Sequence, residues 1–256
     1  MAIIALQGMR GGVGTTSITA ALAWGLQQLG ESVLVIDATP ANLLRMHFNT
    51  DFAHTQGWAR AEFDGTAWQD AALRYTDLLD FLPFGQISAD EHAQFFTDIH
   101  RWTHWAQNIP ALRASGRYNW ILLDVPNGMH PLTQHFTSLA DGVINVIVPD
   151  TNCHTRLHQQ ALPQGTYLLA NQLLANQLLA TSKLQEDIYQ LWLQSLPSLL
   201  PMVIHRDEAM AEASAAKQPV GEYYPHSLAT EEIMTLANWC LLHFDADGNV
   251  ADGSAL

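Results

Sequence analysis

The sequence predicts an α/β fold: a three-layer sandwich with a mostly parallel sheet covered by helices on both faces. Three observations predict it. Short apolar runs alternate with longer stretches of helical periodicity, the runs lack the polar alternation of a half-exposed strand, and the first run leads through a glycine-rich turn into a helix. Strands sheltered on both faces read as continuous apolar runs, and the alternation with helices is that of a parallel sheet.

Residues 3–6 read as the first strand. A helix follows over about 16–29 and is closed by Gly30, the residue type that best tolerates the conformation past a helix end. Residues 33–36 form a second run, stopped by Asp37, and 78–82 a weaker third, ended by Pro83. The fourth covers 120–123 and stops at Asp124; the fifth, sixth and seventh cover 143–148, 167–170 and 201–204. Helical periodicity runs near 87–113, 131–139, 152–161, 183–195, 207–216 and 227–243. No Pro/Ser-rich linker divides the chain, so one domain is expected over 1–244, followed by a flexible acidic tail over 245–256. Ala-Asn-Gln-Leu-Leu occurs twice in succession, at 170–174 and 175–179; one copy is expected to end a strand and the other to lie in a loop, the period being too short for a solenoid.

The 256 residues carry 11 Lys and Arg against 25 Asp and Glu, a formal net charge of −14. A sequence-blind grip on nucleic acid needs a basic surface, and docking to anionic lipid needs one too, so neither is expected. Charged residues make up only 14% of the chain. Interface cores are depleted in charge, so protein partners are expected to cover much of this surface. Cys153 and Cys240 are far apart and form no C-x-x-C pair, which fits a reducing cytoplasm and argues against a disulfide scaffold or a structural zinc site. The opening residues lack the features of a signal peptide, and no apolar run reaches the ~18 residues of a membrane span.

The decisive segment is Gly8-Met9-Arg10-Gly11-Gly12-Val13-Gly14-Thr15-Thr16-Ser17. Between a strand and a helix, successive backbone N–H groups make a nest for an anion, and the helix N-terminus adds partial positive charge. Glycines let the backbone approach a phosphate without a Cβ in the way. The general phosphate-loop pattern is G-x-x-x-x-G-K-S/T; here its first Gly is Met9 and its Lys is Thr15.

The stretch resembles the deviant Walker A motif, K-G-G-x-G-K-S/T-S/T, of the ParA/MinD family of partitioning and septum-positioning ATPases. Arg10 stands at the signature Lys, Thr15 at the loop Lys and Thr16 at the magnesium-binding hydroxyl. Val35-Ile36-Asp37-Ala38-Thr39-Pro40 is similar to the family's D-x-D-P switch I. Residues 79–85 resemble its L-x-L-L-P-A-G strand end, and Tyr118 to Pro126 its Walker B strand and switch II. Lys217-Gln218-Pro219-Val220 resembles its G-K-P-V turn. Arg10 and Thr15, together with Leu157–Pro163, Asp187–Ser195 and Ile204–Glu212, resemble the members carried by enterobacterial cellulose-secretion operons.

The resemblance implies a P-loop NTPase fold, ATP and Mg²⁺ as cofactors, and a homodimer formed through bound ATP. It further implies a small companion subunit (BcsR), the cyclic-di-GMP sensor BcsE and the membrane cellulose synthase complex as partners. Those partners would recruit a cytoplasmic protein to the inner membrane without direct insertion. Arg10 is expected to reach the nucleotide of the other subunit, where its planar fork can engage two phosphate oxygens. Thr16 is the expected direct magnesium ligand, with Asp37 and Asp124 holding the ion's water shell. Each Asp also suits a turn or helix cap. Arg10, Asp37 and Asp124 are the catalytic candidates; Arg10, Gly11, Gly12, Val13, Gly14, Thr15, Thr16 and Ser17 are the phosphate-loop contacts. Asn171 falls at the adenine-reading position and can equally be a turn residue; His205, Arg206 and Asp207 fall beside the base, where Asp207 also suits an N-cap.

Two departures bear on chemistry. Thr15 brings no charge, so nucleotide binding is expected to depend on dimerisation more than in relatives. Thr39 replaces the second acid of switch I, so turnover is expected to be slow or impaired. A DNA-bound partitioning ATPase is the alternative, and −14 speaks against it; a dethiobiotin synthetase-like ligase would need the missing loop Lys. His100/His104 and His154/His158 share i, i+4 spacing without an evident further ligand, and the tryptophans read first as core. The last helix lacks Lys and Arg, unlike a basic membrane-anchoring tail.

Overall fold

The computed structural model describes residues 1–174 and 182–244. Eight strands, β1 (Ala2–Gly8), β2 (Val33–Asp37), β3 (Leu73–Arg74), β4 (Leu79–Leu82), β5 (Trp120–Val125), β6 (Gly142–Ile147), β7 (Thr166–Leu173) and β8 (Leu199–His205), form one sheet in the order β3-β4-β2-β5-β1-β6-β7-β8. All pairings are parallel except the short β3 against β4. The central strands β1, β2, β4, β5 and β6 are buried at every position, which is why they read as mostly apolar runs, broken by Gln7, Asp80 and Asn145 and reaching acids at the ends of β2 and β5. Pro201 lies in β8, an edge strand, the kind of strand to which proline is largely confined.

The helices are α1 (Thr15–Gln28), α2 (Trp58–Asp64), α3 (Ala89–Thr97), α4 (His100–Thr103), α5 (Trp105–Ser115), α6 (Pro131–Ser138), α7 (Thr151–Gln159), α8 (Lys183–Ser195), α9 (Glu208–Ala215), α10 (Val220–Tyr223) and α11 (Leu228–His243). One sheet face, carrying Ile4, Leu6, Val35 and Leu122, packs against α1, α9, α10 and α11. The other, carrying Ile3, Ala5, Ile36 and Leu123, packs against α2 to α6, and α7 and α8 close it beyond β6. Trp58 lies at the centre of that second layer, with Phe84, Phe95, Trp105 and Phe136 within 5.1–5.7 Å of its ring. The tryptophans at 58, 102, 105, 120 and 192 are therefore core residues. No helix among the described residues is long and apolar enough to cross a membrane.

Most predicted elements appear within one or two residues of their expected ends, and Gly30 closes α1 at φ +88°. The single helical pattern at 87–113 is instead three helices, α3 to α5. Asp98 is extended, and its carboxylate accepts from the His100 N–H at 3.2 Å, giving the backbone a local alternative to continuing α3. Between β2 and β4, α2, β3 and 3₁₀ turns at Leu44–His47 and Trp68–Ala71 were not foreseen. No side chain caps α2; its first N–H groups bond the Pro83 and Phe84 carbonyls, partners distant in sequence. The first Ala-Asn-Gln-Leu-Leu copy ends β7, whereas the second copy and the expected tail over 245–256 lie outside the described residues.

Candidate functional site

The loop between β1 and α1 is built around glycines that cannot be replaced without strain. Gly12 and Gly14 have φ of +79° and +90°, the left-handed region that disfavours side chains. A Cβ on Gly14 would lie 2.7 Å from Asn171 Nδ2, and one on Gly8 would lie 2.6 Å from Thr15 Oγ1. The end of β7 clamps the loop from outside. Asn171 Nδ2 donates to the Val13 carbonyl at 2.7 Å, and Gln172 Nε2 to the Gly12 carbonyl at 3.1 Å. Gln172 itself has φ +57°, a strained conformation held in place by this contact.

Below the loop, Asp37 and Asp124 are register partners at the C-terminal ends of β2 and β5, and both are buried. Thr16 Oγ1 donates to Asp124 at 2.8 Å, while Asp37 accepts from the Thr39 N–H at 2.8 Å and the Leu44 N–H at 3.2 Å. Burial raises the Asp37 pKa well above the usual carboxylate range, and the neighbouring Asp124 adds to the rise. Burial likewise pushes Asp124 up to about 7, against the opposing hydrogen bonds from Thr16 and Thr19. Two buried carboxylates and a hydroxyl on adjacent elements form an all-oxygen donor set, and among the described residues neither carboxylate is in an ion pair. That set suits a hard divalent cation, which would favour the ionised carboxylates that burial disfavours.

Two cavities flank the loop. One, of about 320 Å³, is lined by the loop itself with Thr39, Asp124 and Asn127. The other, of about 430 Å³, is lined by Gly14, Ser17, Asn171, His205, Arg206 and Asp207 among others. The second thus gathers every residue assigned to a base by resemblance. Glu232 of α11 accepts from the His205 N–H at 2.7 Å and meets the imidazole Nδ1 with its other oxygen. Asp207 caps α9 through the Ala209 N–H at 2.9 Å and also accepts from the Ala229 N–H at 3.0 Å, so both its oxygens hold backbone. Arg206 is exposed.

Arg10 is turned inward within its own chain. Its guanidinium pairs with Asp150 and donates to the Gly11 carbonyl at 2.7 Å. Asp150 at the same time caps α7 through the Cys153 N–H at 2.7 Å. The sequence reading missed Asp150, Thr19, Gln172 and Glu232. Asp150 carried a signal, an acid directly after an apolar strand and before a helix; the positive φ of Gln172 carried none. His104 faces Glu62 at 3.3 Å and His154 accepts from Trp192 Nε1 at 3.1 Å, so these members of the i, i+4 pairs serve packing contacts.

Comparison with known proteins places this geometry. The family model "Cellulose biosynthesis protein BcsQ" matches residues 1–241. The chain is 59% identical over 254 residues to the cellulose biosynthesis protein BcsQ of Salmonella typhimurium, covering 99% of both chains. The MinC:MinD cell division protein complex of Aquifex aeolicus contains a similar structure, with a TM-score of 0.72 at 21% identity over 94% of this chain and 96% of that one. The septum site-determining protein MinD of Pyrococcus horikoshii, complexed with Mg-ADP, matches with a TM-score of 0.70 at 22% identity over 93% and 95%.

Proposed function

The chain belongs to the cellulose biosynthesis protein BcsQ family and has the fold of the ParA/MinD ATPases, and on that premise we propose that it binds ATP with Mg²⁺, pairs with a second copy across the nucleotide and acts as an assembly factor or regulator of the membrane cellulose synthase complex. One observation carries the nucleotide reading: a glycine loop with two left-handed residues adjoins a donor set made by the half-buried Thr16 and the buried Asp37 and Asp124. Mg²⁺, when bound there, supplies charge neutralisation for phosphate oxygens. Thr16 would give the direct ligand, and Asp37 and Asp124 would order its waters. The loop N–H groups would cradle the phosphates. Asn171 spends its Nδ2 on Val13, which leaves its Oδ1 free to accept from an exocyclic amine such as that of adenine.

Turnover is slow in this proposal. Thr39 stands where the family's second switch acid would orient water, and its hydroxyl is donated to the Asp124 carbonyl at 3.3 Å. Thr15 adds no charge to the loop, so a dimer in which Arg10 exchanges Asp150 for the partner's nucleotide would bind ATP more tightly than the monomer does. BcsR, BcsE and recruitment to the inner membrane belong to the same proposal, supported by family membership and by the scarcity of charged residues. The test is calorimetric titration of ATP into the purified protein with Mg²⁺ and with EDTA, with the mass of the species measured in parallel. Magnesium-dependent binding together with a doubled mass is expected; binding of equal strength in EDTA overturns the site.

A further inference from the structure

A cavity of about 240 Å³ lies on the sheet face between α6 and the turn that follows α7, apart from both cavities at the glycine loop. Its floor is made by Gln7 and Asn145. These are register partners on β1 and β6, so their side chains leave the sheet on the same face. The positions before them on that face, Ala5 and Val143, and those after them, Met9 and Ile147, are all apolar core. Two carboxamides thus interrupt an otherwise apolar layer. Asn145 is 3% exposed, and its Oδ1 is buried without a hydrogen-bond partner. Asn145 lines the cavity, so whichever way its amide is turned one polar end is offered there while the other stays buried. Gln7 Nε2 donates to the Gly128 carbonyl at 2.9 Å, which leaves the Gln7 Oε1 as an acceptor. Thr133 and Thr137 of α6 form the facing wall.

None of the lining residues is ionisable. A charged guest would give up its hydration and find no countercharge. An apolar guest would leave the Asn145 amide unsatisfied. We propose that this cavity binds a small uncharged ligand carrying hydroxyl or carboxamide groups, held by Asn145 and Gln7. Its volume lies below the ~300–1,000 Å³ of pockets for drug-sized molecules, so the guest is compact. The Gln7–Gly128 hydrogen bond ties it to the loop after β5, whose Asn127 lines the cavity at the glycine loop.

The test is titration of the full-length protein with glycerol and acetamide as neutral probes and with acetate and methylammonium as charged controls. The side-chain amide resonances of Gln7 and Asn145 are followed by nitrogen-15 NMR. Saturable shifts with the neutral probes alone are expected, and Asn145→Leu, which restores the apolar layer, should abolish binding. If that variant does not fold, Thr137→Val, which removes a hydroxyl from the facing wall, should weaken binding about fivefold, the net worth of one hydrogen bond. The proposal is overturned if no neutral probe saturates, which would mean the cavity holds water only. Equal shifts with the charged controls, or unchanged binding by a folded Asn145→Leu, would also overturn it.

Discussion

Asp124→Asn should make the metal-free protein more stable, and more so the higher the pH. Asn keeps an oxygen to accept from Thr16, now 2.8 Å from Asp124, but it cannot ionise. In the wild type, burial raises this carboxyl from 3.8 to about 7. A group raised in the folded state binds its proton more tightly there than in the unfolded chain. Its contribution is therefore fully present below 3.8 and is lost as pH rises towards 7. At pH 8 that loss amounts to about 4 kcal/mol for a fully buried group with these two values. Between pH 5 and pH 8 the advantage of the variant should grow by roughly 2 to 3 kcal/mol. Asp37 would also lose a repelling neighbour. His47, which burial lowers to about 4, gives the opposite slope between pH 4 and 6.5, but does so in both proteins and cancels in the difference. Urea denaturation followed by tryptophan fluorescence in EDTA measures the difference at each pH. In the wild type, saturating Mg²⁺ and ATP should flatten the pH dependence, since a cation favours the ionised carboxylates. A difference between variant and wild type that stays constant from pH 5 to 8 would refute the account of the buried pair.

Three further outcomes are expected. Asp150→Ala should cost about 1 kcal/mol through the lost α7 cap, yet lower the concentration at which ATP drives dimerisation, because Arg10 is released; sedimentation velocity reports the shift, and weaker dimerisation would contradict it. Thr39→Asp should raise ATP turnover about tenfold or more by supplying a carboxylate for the attacking water, as a phosphate-release assay would show; an unchanged rate would mean that Thr39 does not limit turnover. Arg206→Ala should weaken ATP binding about tenfold, the scale of a hydrogen bond to a charged group, with the melting temperature unchanged; equal affinity would remove Arg206 from the site.

Some of this architecture is legible because single residues force it. Positive φ at Gly12 and Gly14 can be anticipated from residue type, and so can the close of α1 at Gly30. Asp37 and Asp124 were identifiable because each follows an apolar run whose burial on both faces leaves the strand end as the place for ligands. What stayed hidden was decided by contacts distant in sequence. The start of α2 depends on carbonyls at 83 and 84, and the conformation of Gln172 on a carbonyl 160 residues away. Asn171 was expected to read the base or to serve as a turn residue, and its amide nitrogen holds the glycine loop; sequence could place the residue without saying what each end of its amide faced. The pairing of Arg10 with Asp150 spans 140 positions and has no local signature at all.

That pairing changes how the sparse positive charge has to be understood. Of the 11 Lys and Arg, Arg10, Arg60, Arg74, Arg101, Arg113, Arg117 and Lys183 sit in ion pairs with carboxylates. Arg45 and Lys217 bond backbone carbonyls, and Arg156 bonds Asn152. Arg206 alone makes no ion pair or side-chain hydrogen bond among the described residues, and it lines the cavity beside the loop. The cation at the signature position therefore contributes little net field in the single chain, because Asp150 compensates it at contact distance. In the proposed complex, attraction for phosphate would come first from the loop N–H groups, the cation that Thr16, Asp37 and Asp124 would hold, and Arg206. Arg10 adds its full charge only when something stronger than Asp150 is offered to it. A phosphate presented by a second copy carries more negative charge than one carboxylate and accepts both arms of the fork. Because Asp150 also begins α7, the exchange would be felt in the helix that follows β6. In the proposed dimer Arg10 would thereby be a switch contact, with nucleotide and dimer partner as its competing input.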